Sequence, residues 1–233
     1  AGNDTIFNTK TSASYAASYS YVDAGDGNDY IANYAYGDWS TLNGGAGNDS
    51  IENWAAGSFI NGGSGNDSIR NFTDKVSLNG GAGNDYIYSS GSNNTILGGA
   101  GNDYISLNSN HSANVIQYAS GNGYDTVYGF GSTDTVRITD GSKYTTLKSG
   151  SDMIVSIGSG LIRLKNTSTA KIVGGSPVTI PGGRNATNNT RNVRFNGTSY
   201  NDTLTNVGSG VTIYAGAGND TIFNTKTSAS YAA

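Results

Sequence analysis

Six aspartates close six copies of one glycine-rich phrase. The copies read DAGDGNDYIAN, NGGAGNDSIEN, NGGSGNDSIRN, NGGAGNDYIYS, LGGAGNDYISL and YAGAGNDTIFN, and their aspartates are Asp29, Asp49, Asp67, Asp85, Asp103 and Asp220. Asp4 in AGNDTIFN and Asp202 in SYNDTLTN hold the same place. The steps from Asp49 to Asp67, to Asp85 and to Asp103 are each 18 residues. A fixed period this short means coils stacked one on the next. It stacks carboxylate on carboxylate along one edge, and such a column repels itself unless cations sit between its members.

The residues around the aspartates suit that chemistry. Glycine lets a loop carbonyl turn inward at positive φ. Gly44, Gly45 and Gly47 precede Asp49; Gly62, Gly63 and Gly65 precede Asp67; Gly80, Gly81 and Gly83 precede Asp85; Gly98, Gly99 and Gly101 precede Asp103. Ca²⁺ takes about six to eight oxygen ligands, backbone carbonyls among them. The chain has no cysteine, and an oxygen-only donor set favours Ca²⁺ over zinc or copper. The blander reading is turn chemistry, with each aspartate capping backbone N–H groups. Turn needs alone leave an aspartate at every copy unexplained.

The elements that must position these loops are short strands. In GGAGNDYIYSSGSNNTIL the loop ends at Asp85, a strand follows around Ile87, and a second strand centres on Ile96. Ile31, Ile51, Ile69, Ile87 and Ile105 are expected to form one inward column, and Val22, Leu42, Ile60, Leu78 and Ile96 the opposite one. Alternation of period two in pieces this short is strand, not helix. The second edge lacks the metal loop. There Tyr34, Trp54 and Phe72 follow Asn33, Asn53 and Asn71, which predicts an asparagine ladder with an aromatic stack beside it. The fold class is all-β: a parallel β-roll or β-solenoid with 18-residue coils, plus a hairpin-rich β cap. Residues 1–118 read as the roll, with degenerate repeats and the cap over 119–180, a linker over 181–195 and a restarting roll over 196–233.

Composition agrees with a narrow core. Of 233 residues 35 are Gly, 2 are Pro and 35% are hydrophobic, below the usual ~45–50%. Solenoids manage with thin cores and continuous backbone ladders. Residues 1–125 hold twelve acidic and three basic side chains, and residues 126–201 three acidic and nine basic. The acidic part coincides with the aspartate loops. No apolar run is long enough to span a membrane.

Gly44–Glu52, Gly62–Arg70, Gly80–Tyr88 and Gly98–Ser106 resemble the RTX, or haemolysin-type, calcium-binding nonapeptide G-G-x-G-x-D-x-U-x. Ala24–Ala32 and Ala215–Phe223 are one glycine short of it, and Ser120–Val127 and Gly197–Leu204 are degraded versions. The resemblance implies a right-handed roll with Ca²⁺ between successive loops. Asp49 and Asp67 would bracket one ion, Asp67 and Asp85 the next, Asp85 and Asp103 another, and Asp29 would join Asp49. The family roll carries the motif on both edges; here alternate turns lack it, so one metal column is expected. Asp4, Asp202 and Asp220 would extend that column.

Catalysis finds little support. The one histidine, His111, reads as an exposed loop residue, and no catalytic grouping can be built on it. An ice-binding rank of threonines is absent, since the loop position holds Asp26, Ala46, Ser64, Ala82, Ala100 and Ala217. The basic residues over 137–194 are dispersed among strands and read as facing an acidic neighbouring unit, not nucleic acid. Residues 217–233 are identical to residues 1–17, an offset of 216, or twelve times 18. Drifted repeats elsewhere differ at many positions, so an identical copy marks a tandem array of large units. The sequence is therefore read as a non-enzymatic, calcium-binding structural unit of a secreted, repetitive cell-surface fibre or adhesin stalk, its partners being further copies head to tail. Two alternatives stay open: the calcium-folded C-terminal region of a secreted RTX toxin or enzyme, and a module binding cell-surface glycan through Tyr34, Trp54, Phe72 or the Tyr86/Tyr104 pair.

Overall fold

The computed structural model describes residues 1–9, 19–34 and 39–177 and five later strands. The chain divides into two units, Ala1–Pro177 and Val178–Ala233. Among the described residues there is no helix.

The first unit opens with β1 (Thr5–Asn8), β2 (Tyr19–Asp26), β3 (Tyr30–Asn33), β4 (Trp39–Ala46) and β5 (Ser50–Asn53). It continues with β6 (Phe59–Ser64), β7 (Ser68–Asn71), β8 (Ser77–Ala82), β9 (Tyr86–Ser89), β10 (Thr95–Ala100) and β11 (Tyr104–Leu107). Then come β12 (Val115–Tyr118), β13 (Tyr124–Tyr128) and β14 (Thr135–Ile138). Odd strands β1 to β13 lie side by side in one parallel sheet and even strands β2 to β14 in another. Each coil thus gives one strand to each sheet, and the fold is a parallel β-solenoid.

Register places like on like. Ile31, Ile51, Ile69, Ile87 and Ile105 are partners in successive strands, as are Val22, Leu42, Ile60, Leu78 and Ile96. All but Val22 are buried, and the two columns meet as the core. A one-residue slip would turn every Ile outward, so the alternation itself holds the register. The coil step is 18 residues from Ser50 to Ser68 to Tyr86, but 20 from Tyr30 to Ser50 and 22 from Tyr104 to Thr126.

The coils run past residue 118, through the segment read as degenerate repeats. Ile116 and Val136 continue one column and Val127 the other. The glycine pattern drifts there, but the inward apolar residue, which holds a coil in the stack, persists. The cap is β15 (Lys143–Ser149), β16 (Asp152–Ile157) and β17 (Gly160–Leu164), paired antiparallel. β17 rejoins β13 in parallel, and β18 (Lys171–Val173) rejoins β14. β19 (Ser176–Pro177) pairs with β15. Two of the dispersed cations are held inside this cap: Arg163 and Lys165 pair with Asp152 at 2.8 and 2.6 Å.

In the second unit β20 (Asn185–Asn188), β22 (Thr203–Asn206) and β24 (Thr221–Asn224) form one parallel sheet, and β21 (Arg194–Thr198) pairs with β23 (Thr212–Gly216). The segment 181–195, read as a linker, therefore contains the strand β20. Its NATN aligns with TLTN of β22; Gly182 and Gly183 precede it, but no aspartate follows them and no large apolar residue stands in the strand, so the coil signature is weak.

Candidate metal centre

Each GGxGND loop carries the chain from the end of an even strand to the start of the next odd one. Two of its glycines allow the coils to approach. Gly45 and Gly47 have φ of 110° and 130°. A Cβ at Gly45 would collide with the Gly25 carbonyl, and one at Gly47 with the Gly27 carbonyl. Gly63, Gly65, Gly81, Gly83, Gly99 and Gly101 repeat this stacking. Loops therefore follow one another at the strand spacing of about 4.8 Å, and so do their aspartates.

Asp29, Asp49, Asp67, Asp85 and Asp103 form one buried column. The Oδ1 of each accepts the N–H of the aspartate one coil earlier. Asp4 donates to Asp29 at 2.6 Å, Asp29 to Asp49 at 2.7 Å, and Asp49, Asp67 and Asp85 to the next aspartate at 2.8 Å. The turn reading thus accounts for one carboxylate oxygen. The other, Oδ2, is buried and without a hydrogen-bond partner in all five. A buried charged oxygen with no donor is costly.

The first glycine of each motif opens space at that oxygen. A Cβ at Gly44 would collide with Asp49 Oδ2 and the Gly62 carbonyl oxygen, and a Cβ at Gly62 with Asp67 Oδ2 and the Gly80 carbonyl. Gly80 stands in the same way to Asp85 and Gly98, and Gly98 to Asp103. At each step a carboxylate oxygen of one coil and a carbonyl oxygen of the next converge on a spot kept clear of side chain. Among the described residues no three carboxylate or imidazole groups meet at one point. Most ligands at each step would therefore be loop carbonyls, a donor set that suits Ca²⁺.

Electrostatics agrees. Burial raises the Asp67 carboxyl to about 7, with the Asp85 and Asp49 charges adding. Burial raises Asp85 to about 6, and Asp49 and Asp103 in the same direction. A cation at Oδ2 would hold these groups ionised.

The structure adds residues that the sequence reading left out of the column. Asp125 is buried, and its Oδ1 accepts the Asp103 N–H at 3.0 Å. Burial and the Asp103 and Asp85 charges raise it to about 8. Its signal was YDTVY after GNG, masked by a 22-residue step. A second ladder runs beside the first: the Oδ1 of Asn3, Asn28, Asn48, Asn66 and Asn84 each accepts the N–H of the next loop's asparagine at 2.7–2.8 Å. The Asn of GND clamps the coil after it, and the Asp clamps the coil before. Asp4 lies at the column's end with an exposed carboxylate. Asp202 and Asp220 fall outside the described residues.

Among the described residues the second edge buries no carboxylate until its last coil; Asp74 there is exposed, and its Oδ1 accepts the Ser92 N–H at 2.7 Å. Asn8, Asn33, Asn53 and Asn71 are linked side chain to side chain at 2.7–2.9 Å. Tyr34, Trp54 and Phe72 stack with centroids 4.6 and 4.7 Å apart. The Oδ1 of Asn94, Asn114 and Asp134 accept the N–H of Val76, Asn94 and Asn114 at 2.7, 2.8 and 2.9 Å. His111 is not exposed. Its side chain is 3% accessible, Nε2 lies 2.7 Å from Asp134 Oδ2, and Nδ1 contacts the Asn108 carbonyl. The loop folds over the edge because Asp134 would otherwise bury a carboxylate there with only the Gly131 N–H on Oδ2.

A parallel β-solenoid with one edge of stacked carboxylates and cleared carbonyls is a calcium-binding repeat scaffold. The profile of the RTX calcium-binding nonapeptide repeat (4 copies) matches residues 34–52, 58–70, 77–106 and 208–224. The chain carries the calcium-binding repeats of that family. No curated protein matches it. Among solved structures it is similar to the extracellular lipase LipA from Serratia marcescens, with 17% identity and a TM-score of 0.41. That alignment covers 74% of this chain and 38% of the lipase chain.

Proposed function

We propose that the chain is a calcium-stiffened structural unit of a secreted, repetitive cell-surface fibre or adhesin stalk, and not an enzyme. The observation that carries this reading is the identity of residues 217–233 with residues 1–17 at an offset of twelve 18-residue steps. An export or folding region of a toxin has no need of large identical units. The ions would lie between successive loops from Asp29 to Asp125, each held by Oδ2 and by loop carbonyls. Their role is to neutralise the column and clamp coil to coil. Extracellular calcium modules bind at roughly 10⁻⁴–10⁻³ M, so the chain would stay loose in a calcium-poor cytoplasm and fold after export.

Circular dichroism over a calcium titration tests the structural role. A β spectrum and melting temperature unchanged by EDTA would remove it. The complete coding sequence tests the fibre: many further copies support it, and a single copy behind a catalytic or pore-forming region replaces it with the toxin or enzyme reading.

A further inference from the structure

The duplicated strand TIFN is seen twice, and each time from a different side. As β1, Thr5–Asn8 is the end strand of its sheet and, among the described residues, pairs only with the coil after it, β3. As β24, Thr221–Asn224 pairs with the coil before it, β22, with Leu204 opposite Ile222 and Asn206 opposite Asn224. The two pairings use one sequence, parallel and in register.

They also use opposite edges. The Asp4 and Asn8 carbonyls accept N–H groups of Tyr30 and Tyr34. In an extended strand alternate residues turn their N–H and C=O to opposite sides. Thr5 and Phe7 therefore direct their backbone groups away from β3. Later coils keep the pattern: Asp29 and Asn33 face the coil that follows, accepting from Ser50 and Trp54.

The side-chain ladders stop at the same place. Asn8 gives its Nδ2 to Asn33 at 2.8 Å. Asp29 and the later column aspartates accept the N–H of the aspartate one coil earlier. Among the described residues nothing donates to Asn8 Oδ1 or to the Asp4 carboxylate. The repeat that would precede β1 ends in NDTLTN, whose Asn206 is already in register with the asparagine equivalent to Asn8. Backbone edge, Asn ladder and Asp ladder are all open toward one side, and one segment of the same sequence matches all three.

We propose that the open edge of β1 is the docking edge for the strand Thr203–Asn206 of a preceding copy, so that successive units share the TIFN coil and form one uninterrupted roll. This rests on the fibre reading for the presence of that copy. An open edge is otherwise a site for stray pairing, and the shared coil closes it.

Hydrogen exchange by NMR at millimolar calcium tests it on a one-unit and a two-unit chain. In the one-unit chain the Thr5 and Phe7 amides exchange fast, while Ile6 and Asn8 are protected. In the two-unit chain all four amides of the shared strand, Thr221 to Asn224, are protected. Proline supplies a second arm, because it removes one N–H. Phe7→Pro in the one-unit chain shifts melting by only a few degrees. Phe223→Pro in the two-unit chain splits a single unfolding transition into two. Fast exchange at one set of shared-strand amides, or two independent transitions in the unsubstituted two-unit chain, would overturn the proposal. Calcium-dependent folding of each unit would survive that result, and so would a fibre of separate beads.

Discussion

The two edges of the roll use the same rung and finish it differently. On both, a side-chain oxygen accepts the N–H of the preceding coil, as Asp85 does for Asp67 and Asn114 for Asn94. The second atom of the group then decides what the edge requires. On the second edge it is amide nitrogen: Asn94 donates to the Thr73 carbonyl and Ser89 Oγ, and Asn114 to the Gly91 carbonyl. Where this edge buries a carboxylate, at Asp134, Gly131 and His111 meet the second oxygen. On the glycine edge the second atom is an oxygen with no partner in five successive coils. One edge is complete within the chain; the other needs a cation from outside. A change from –NH₂ to –O⁻ at one position per coil is enough to make a metal column.

The largest effect should come from the middle of that column. Asp67→Ala and Asp85→Ala each remove the Oδ2 ligand of one step and the Oδ1 rung that aligns the coil before it, and both should abolish binding of about two ions in calorimetric titration. Asp103→Ala should match them, because Asp125 makes Asp103 an interior member. Equal, single-ion losses at all three would mean that the loops act independently.

Asn114→Ala should cost about 1–3 kcal/mol of stability, since it removes a buried rung and leaves groups unpaired. Its calcium stoichiometry should not change. A lost ion in that variant would erase the distinction between the edges.

Protons should partly replace calcium on one edge only. In the calcium-free fold Asp67, Asp85 and Asp125 sit near 7, 6 and 8, against about 3.9 unfolded. The folded chain then binds more protons than the unfolded one between those values, so stability is full below about pH 4 and falls as pH rises through the folded values. In EDTA the chain should regain β signal and melt higher at pH 5 than at pH 8. Calcium affinity should fall over the same acid range, because the ion must displace the protons. Asn114→Ala should leave the slope unchanged. A stability that rises with pH in EDTA would contradict the column.

The smallest effect should be Trp54→Ala, which breaks two stacked pairs worth about 0.5–1.5 kcal/mol each beyond area. It should lower melting slightly with calcium present and leave calcium titration untouched.

Much of this was legible because a solenoid converts sequence period directly into neighbourhood. An 18-residue step with Ile two residues after each Asp determines both sheets, the inward columns and the stacking of Asp29 to Asp103. The ladder and aromatic stack at Asn33 and Tyr34 follow from the same step. The sequence showed a degraded motif at Ser120–Val127 but could not place Asp125 in the column or set the register of the coils beyond residue 118, because a 22-residue step hides there and only the pairing of Val127 with Ile105 restores the register. Nor could it divide the labour within GND, where Asn reaches forward and Asp back, since both types suit a turn. His111 shows the limit most plainly. In sequence it is a histidine in a polar loop, and only the fold brings Asp134, 23 residues on, to its ring. Period speaks for residues that repeat; a single residue finds its partner only when the chain closes around it.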